Sequence, residues 1–368
     1  MSTPISPKKR ADCIAGVGLY FNAATRRSAP LSVPRTSLRE ASGKQPDAGG
    51  CKVLPTNFVC RGVGRRLRYF PDRPMVELTT RTLQGRYLLR PSPGLREIFV
   101  GILARAVALY EVHVHAFVCL SNHWHALVTP KDARELARFC CYVNTNLSKE
   151  AGRLHRWRGP LLQRRYQAIP VSSEEDAQIG RLRYLLAHGC KEGLVAKLRD
   201  WPGPHCADAL TTGENCAGIW FDRHQEWLAR VRGQEKPPHD FSTHHELSLA
   251  PLPCWRDLPQ LEVQRRIAKL VAEIESEAAT RHHDEGGKPL GRAGVLRQDP
   301  HDHPASSSRS PAPLVHAASK RARREMRVVY YLFVAAFRAA AERLGRGCKD
   351  AVFPEGCFPP PLPFCRSS

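Results

Sequence analysis

The first residues able to do chemistry are two histidines one position apart, His123 and His125. They lie in residues 112–130, Val-His-Val-His-Ala-Phe-Val-Cys-Leu-Ser-Asn-His-Trp-His-Ala-Leu-Val-Thr-Pro. Two apolar, β-branched-rich runs flank the polar pair Ser121-Asn122, the pattern of a hairpin of adjacent strands. Strand side chains alternate faces, so the two imidazoles point one way and Trp124 the other. Two imidazoles on one face can hold a divalent metal. With 16 histidines in 368 residues the tripeptide alone is a weak signal, and His113-Val114-His115 is a second copy. The decision needs a partner elsewhere in the chain.

Residues 172–190 supply one. Ser172 and Glu175 have capping-box spacing, and Gly189 gives a stop. Between them Ile179, Leu182, Leu185 and Leu186 form an apolar stripe. Tyr184 lies off that stripe, with His188 one turn above it and Arg181 one turn below. One helix face thus offers a phenol, an imidazole and a guanidinium. Read without further context, Tyr184 is equally a half-buried structural tyrosine, and His188 a helix C-terminal residue favoured by the dipole.

Four segments carry a resemblance. They are Ser-Asn-His-Trp-His-Ala-Leu-Val (121–128), Gly-Pro-Leu-Leu-Gln-Arg-Arg-Tyr-Gln (159–167), Arg-Tyr-Leu-Leu-Ala-His-Gly-Cys-Lys-Glu-Gly-Leu-Val (183–195) and Asp-Trp-Pro-Gly (200–203). In order and spacing, over about residues 75–205, the chain resembles the single-tyrosine HUH transposases, especially the REP-associated tyrosine transposases. The resemblance places the HUH pair on His123 and His125, the nucleophile on Tyr184 and the third metal ligand on His188. The family's usual Asn-Pro in this segment is Gly189-Cys190 here, and His188 stands where an amide is common. The resemblance implies Mg²⁺ or Mn²⁺ as the divalent metal, whereas three imidazoles by ligand type also suit Zn²⁺. It further implies single-stranded or hairpin DNA as partner, and a homodimer.

Such chemistry has clear demands. A phenol of pKa near 10 is a poor nucleophile until it loses its proton. The scissile phosphate must be polarised and held in line. Attack leaves a 5′-phosphotyrosine and a free 3′-OH, and the retained bond energy lets another strand's 3′-OH reverse the step. Arg181 and the loop 153–165, the densest basic and aromatic stretch, are the candidate substrate contacts. In that loop Arg156, Trp157, Arg158, Arg164 and Arg165 have the types to grip phosphates and stack a base, although a plain solvated loop reads the same way. Tyr142 and Tyr166 are rival nucleophiles, but neither has a metal-type residue four positions on.

The elements that must position these groups read in order as β-α-β-β-α-β-α. A strand begins at 75. Ser92-Pro93 opens a helix running to about Tyr110, with Ile98, Ile102, Ala106 and Leu109 on its inner side. The hairpin 112–120 and 123–129 follows. Asp132 and Glu135 then start a helix with Leu136, Phe139, Cys140, Val143 and Leu147 inward and Arg134, Arg138, Asn144 and Lys149 outward or marginal. Residues 167–171 make a fourth strand before the tyrosine helix. The expected fold class is α+β, a ferredoxin-like (split βαβ) antiparallel sheet with an added tyrosine-bearing helix, plus a helical C-terminal extension. The expected domains are a basic, disordered arm (1–74), the nuclease domain (75–205), a helical extension (206–283), a linker (284–317), and a helix with a Pro-rich tail (318–368). Within the extension, 219–233 reads as one short helix and 258–282 as an amphipathic helix that includes Leu261.

Lys plus Arg number 56 against 35 Asp plus Glu, a net charge of +21, which points to a polyanion partner. Basic genome bias gives the same excess. The 13 cysteines are scattered without Cys-x-x-Cys and read as reduced thiols. The apolar run 328–337 is too short to span a bilayer, and no apolar region follows the early basic cluster. A cytoplasmic, nucleoid-associated protein is expected. The sequence leaves open three activities: transposase, a non-catalytic nucleic-acid-binding module on the same sheet, and a zinc hydrolase.

Overall fold

In the computed structural model, residues 66–70, 74–305 and 312–358 are described; most of the expected N-terminal arm and the end of the Pro-rich tail lie outside them. The fold is mixed α+β. Its sheet contains β1 (Val76–Arg81), β2 (Val112–Leu120), β3 (His123–Pro130) and β4 (Gln167–Pro170), in spatial order β2-β3-β1-β4 and antiparallel throughout. Thr79 pairs with His125 and Arg81 with His123. Opposed residues share a face, so Glu77, Thr79 and Arg81 stand on the side of the two histidines.

Trp124 points to the other side and is fully buried. Its ring lies 6.0 Å from Phe99 of α1 (Pro93–Leu109), and its Nε1 donates to Asn144 Oδ1 on α2 (Ala133–Leu154) at 3.2 Å. These helices pack together under the sheet. Both start as their sequences indicate: Ser92 Oγ accepts from Leu95 N at 3.1 Å, and Asp132 Oδ1 from Glu135 N at 2.8 Å. Leu109 is an exception to the expected inner row, being 44% exposed. Counting in fours from Ile98, the row continues to Tyr110, which packs edge-on against Tyr142.

The tyrosine-bearing segment forms α3 (Glu175–Leu186) and a final turn, α4 (His188–Lys191), separated only by Ala187. Leu182, Leu185 and Leu186 are buried, and α3 lies on the histidine face of the sheet. The expected capping box does not form. Ser172 Oγ donates instead to Glu174 Oε2 at 2.7 Å, while Glu175 accepts from Trp255 Nε1 at 3.2 Å. The helix begins at Glu175 with Glu174 at its N-cap, two residues too late for Ser172 to cap it.

Downstream lie α5 (Ala207–Thr212), β5 (Cys216–Phe221), α6 (Arg223–Val231), β6 (Ser242–Leu247), α7 (Gln260–Asp284), α8 (Gly291–Leu296) and α9 (Lys320–Gly345). The single helix expected over 219–233 is thus a strand followed by a helix. β5 pairs with β6, and Asp222 caps α6 by accepting from His224 N and Gln225 N. Backbone meets backbone where β5 crosses α1: a Cβ on Gly101 or Gly218 would collide with the other segment's main chain. On α7, Ile267, Leu270 and Ile274 are buried but Leu261 is 67% exposed, because the inward row starts only one turn later. Residues 284–305, which read as linker by composition, hold α8 and bind the hairpin end of the sheet. Tyr87 N donates to Asp302 O at 2.9 Å, Arg90 Nη1 to Leu296 O at 3.2 Å, and Ser121 Oγ to Gln298 Oε1 at 2.5 Å.

Of the second histidine pair, His113 is exposed and His115 is buried at a break in the β2 register between Val114 and Ala116. His115 is a core residue, with Nδ1 3.1 Å from Ala250 O and Nε2 2.8 Å from Thr129 Oγ1. Burial lowers its pKa to about 4. Unfolded, it takes a proton near pH 6.5. As pH falls below about 6.5 the unfolded chain therefore binds a proton that the native one refuses, and stability drops by about 1.4 kcal/mol per pH unit until about pH 4. Urea unfolding of wild type and His115→Gln between pH 7 and 4.5 will show a shallower loss in the variant by about that slope.

Candidate metal centre

His123, His125 and His188 converge between β3 and α4. One ring nitrogen from each lies within 4.8 Å of the others. Ring centroids are 4.9 Å apart for His123–His125, 5.0 Å for His123–His188 and 4.7 Å for His125–His188. The strand brings the first two together by alternation, and the helix lays the third across them.

The outward nitrogens explain why the rings face inward. His123 Nδ1 lies 2.6 Å from Asn122 Oδ1. His125 Nδ1 lies 2.9 Å from Thr79 Oγ1 and 3.2 Å from Glu77 Oε1. With acceptors at both Nδ1 atoms, the protons belong there and the Nε2 lone pairs turn to the centre. His123 Nε2 and His188 Nε2 face each other at 3.0 Å. His188 Nδ1 is buried with no hydrogen-bond partner. Burial, together with the neighbouring His125 and Lys191, lowers His188 to about pH 3. Burial first, then His125 and His188, also holds His123 well below its ordinary value. Imidazole nitrogens converging in a buried space suit a divalent cation, and among the described residues this is the cluster that could hold a metal.

Glu77 is the unanticipated member. It is 4% exposed, and its Oε2 lies 2.8 Å from both Arg181 Nε and His316 Nε2. These are close contacts whose angles are not those of hydrogen bonds. Burial alone would raise its pKa; the contacts of His125 and His316 and the charge of Arg181 outweigh that and hold it well below the carboxylate range. The sequence carried one signal for it, a lone acid in an apolar strand on the histidine face.

Tyr184 is half-buried beside the cluster. Its ring centroid is 5.0 Å from that of His188 and 6.1 Å from that of His125, both edge-on. Arg181 sits over the ring at 4.0 Å and Lys191 at 4.7 Å. Burial, then the Glu77 charge, raises its pKa, with Arg181 opposing. Arg181 thus lies between Glu77 and the phenol.

No protein-family model and no curated protein matches the chain. Among solved structures it is similar to a REP-associated tyrosine transposase bound to a REP hairpin, with TM-score 0.33, 15% identity, and coverage of 40% of this chain and 86% of that one.

The basic loop is not drawn into the cluster. Arg156, Arg158, Arg164 and Arg165 are exposed; Arg165 donates to Arg66 O at 2.8 Å, and Arg156 has a left-handed φ of +52°. Trp157 is half-buried, its ring 5.5 Å from His301 and 5.8 Å from the Arg86 guanidinium. The loop does leave from the right end of the sheet. Leu83 N donates to Leu161 O and Gln163 N to Arg81 O, beside the start of β3 at His123. Of the rival tyrosines, Tyr166 is buried, with its hydroxyl accepting from Arg68 Nη1 at 2.7 Å. Tyr142 is on α2, on the opposite face of the sheet.

Titration of the protein with Mn²⁺, Co²⁺ or Zn²⁺ in a calorimeter will give one tight site. His123→Ala, His125→Ala and His188→Ala will each weaken it by more than the roughly 10–100-fold typical of a residue one step behind the ligands.

Proposed function

We propose that the protein is a metal-dependent single-stranded DNA endonuclease and strand transferase, a transposase of the HUH tyrosine class on a ferredoxin-like sheet. The proposal includes a homodimer that acts on hairpin or repeat DNA beside the nucleoid, with residues 75–205 as the catalytic domain. The observation that carries the reading is the placement of Tyr184 against two members of the three-histidine cluster, 5.0 Å from His188 and 6.1 Å from His125 between ring centroids. The sequence resemblance assigns nucleophile and ligands to these same residues. The strand order β4-β1-β3-β2 with its antiparallel pairing supports the ferredoxin-like assignment.

A divalent cation on His123, His125 and His188 supplies Lewis-acid polarisation of the phosphate oxygens; Mg²⁺ or Mn²⁺ is the family's choice. The chain's residues do the rest. Tyr184 must lose its proton during attack, since its pKa is raised. The positive charges of Arg181 and Lys191 next to its ring favour the phenolate. Its oxygen bonds to phosphorus, the P–O3′ bond breaks, and the departing oxygen takes a proton to become a 3′-OH. The 5′-phosphotyrosine keeps the ester energy for rejoining without ATP. Arg156, Arg158, Arg164 and Arg165, exposed at the His123 end of the sheet, supply phosphate contacts, and Trp157 a stacking surface.

Incubated with labelled single-stranded hairpin DNA and Mn²⁺ or Mg²⁺, wild type will give a covalent protein–DNA adduct on a denaturing gel, and Tyr184→Phe will give none. Cleavage that continues at the wild-type rate in Tyr184→Phe removes the nucleophile. DNA binding without any adduct in the wild type leaves a non-catalytic binding module.

A further inference from the structure

Glu77 has one partner that comes from neither the hairpin nor the tyrosine helix. His316 lies beyond residue 205, where the family resemblance ends. Its Nε2 is 2.8 Å from Glu77 Oε2. Its backbone is fixed on both sides, with His316 N donating to Pro170 O at 2.9 Å and Ser172 N donating to His316 O at 2.8 Å. Two residues on, Ala318 N donates to Glu174 Oε2 at 2.9 Å and Ser319 N to Glu174 Oε1 at 3.2 Å, and Ser319 Oγ caps α9 by accepting from Ala322 N at 3.0 Å. The chain leading into α9 is therefore stitched to the turn between β4 and α3 by main-chain bonds and by the Glu174 carboxylate.

Those bonds do not need an imidazole. What the His316 side chain adds is its contact with the carboxylate. Glu77 uses Oε1 towards His125 and Oε2 towards Arg181 and His316. With two cationic or N–H-bearing groups on Oε2, rotation of the carboxylate away from His125 is blocked. With Arg181 alone, whose guanidinium also covers Tyr184, the carboxylate can follow that flexible side chain. We propose that His316 is a positioning residue of the metal centre: it fixes the Glu77 carboxylate, which orients His125 through Nδ1, so that the C-terminal segment is a working part of the site. This rests on the reading of the three imidazoles as metal ligands.

The test is Co²⁺ binding to the full chain without DNA, followed by calorimetry and by the visible absorption of the bound ion. Wild type will bind one equivalent. His316→Ala will bind roughly tenfold more weakly, the low end for a group behind a ligand, with altered Co²⁺ bands. His316→Gln, which keeps an N–H donor at a similar reach, will recover most of the affinity. Ser319→Ala, which weakens the α9 cap without touching Glu77, will match wild type. In a Glu77→Gln background, His316→Ala will cost little more, because its effect passes through the carboxylate. Wild-type affinity and bands in His316→Ala overturn the inference and leave the metal site standing. Equal weakening by Ser319→Ala and His316→Ala overturns it too, since the effect would then come from docking of α9. Failure of wild type to bind Co²⁺ overturns the metal-site reading and the inference with it.

Discussion

A single buried carboxylate organises the centre of this protein. An uncompensated carboxylate in the interior costs several kcal/mol, so Glu77 is tolerable only while its partners stay in place. Those partners come from three parts of the chain: His125 from the hairpin, Arg181 from the tyrosine helix and His316 from the approach to α9. The depressed pKa of Glu77 means that the partners outweigh desolvation and the group stays charged. Moving any one element away exposes the remaining pair to that cost. Strand, helix and C-terminal segment are thereby held to a common geometry, which hydrophobic contact alone, being non-directional, would not specify.

The sheet separates two tasks by its alternation. Trp124 and the α1–α2 layer supply burial on one face, and the histidines, Glu77 and Thr79 supply chemistry on the other. Little of this depends on the loops. The imidazoles sit on β3 and α4, and the phenol on α3, so their spacing is set by regular backbone. Asn122 belongs to the hairpin turn, yet it holds His123 Nδ1, and its neighbour Ser121 is tied to Gln298. The segment around α8 thus braces the turn whose Asn122 orients His123.

What was legible in the sequence follows from period. Alternation gave the hairpin and put His123 and His125 on one face. The helical repeat put Arg181, Tyr184 and His188 together, and caps at Ser92 and Asp132 marked helix starts that the structure contains. Failures came where tertiary contact overrides local pattern. Residues 219–221 became a strand because β6 pairs with them and Gly101 and Gly218 let α1 approach. Leu109 and Leu261 carry the right type at positions past the covered surface. The polar, Pro- and Gly-rich stretch over 284–317 gave no periodic signal, yet its described residues bind the hairpin end of the sheet and His316 reaches Glu77. Long-range pairing of that kind has no local signature, and Glu77 was overlooked for the same reason: its role exists only once three distant segments meet.

The charge balance gains meaning at this level. Among the described residues, part of the net charge of +21 lies on exposed arginines such as Arg156, Arg158 and Arg164, where solvent screens it. Inside the site the order is reversed: the imidazoles of His123 and His188 are held neutral, and one carboxylate is held charged behind them. A polyanion is attracted to the outer surface, whereas the pocket within favours a cation. The inner preference would be lost if the site carried the surface's charge, because protonated imidazoles would repel a metal ion and offer it no lone pair. Burial of His123 and His188 thus keeps two imidazoles in the form that has a free lone pair, within a chain that carries an excess of positive charge.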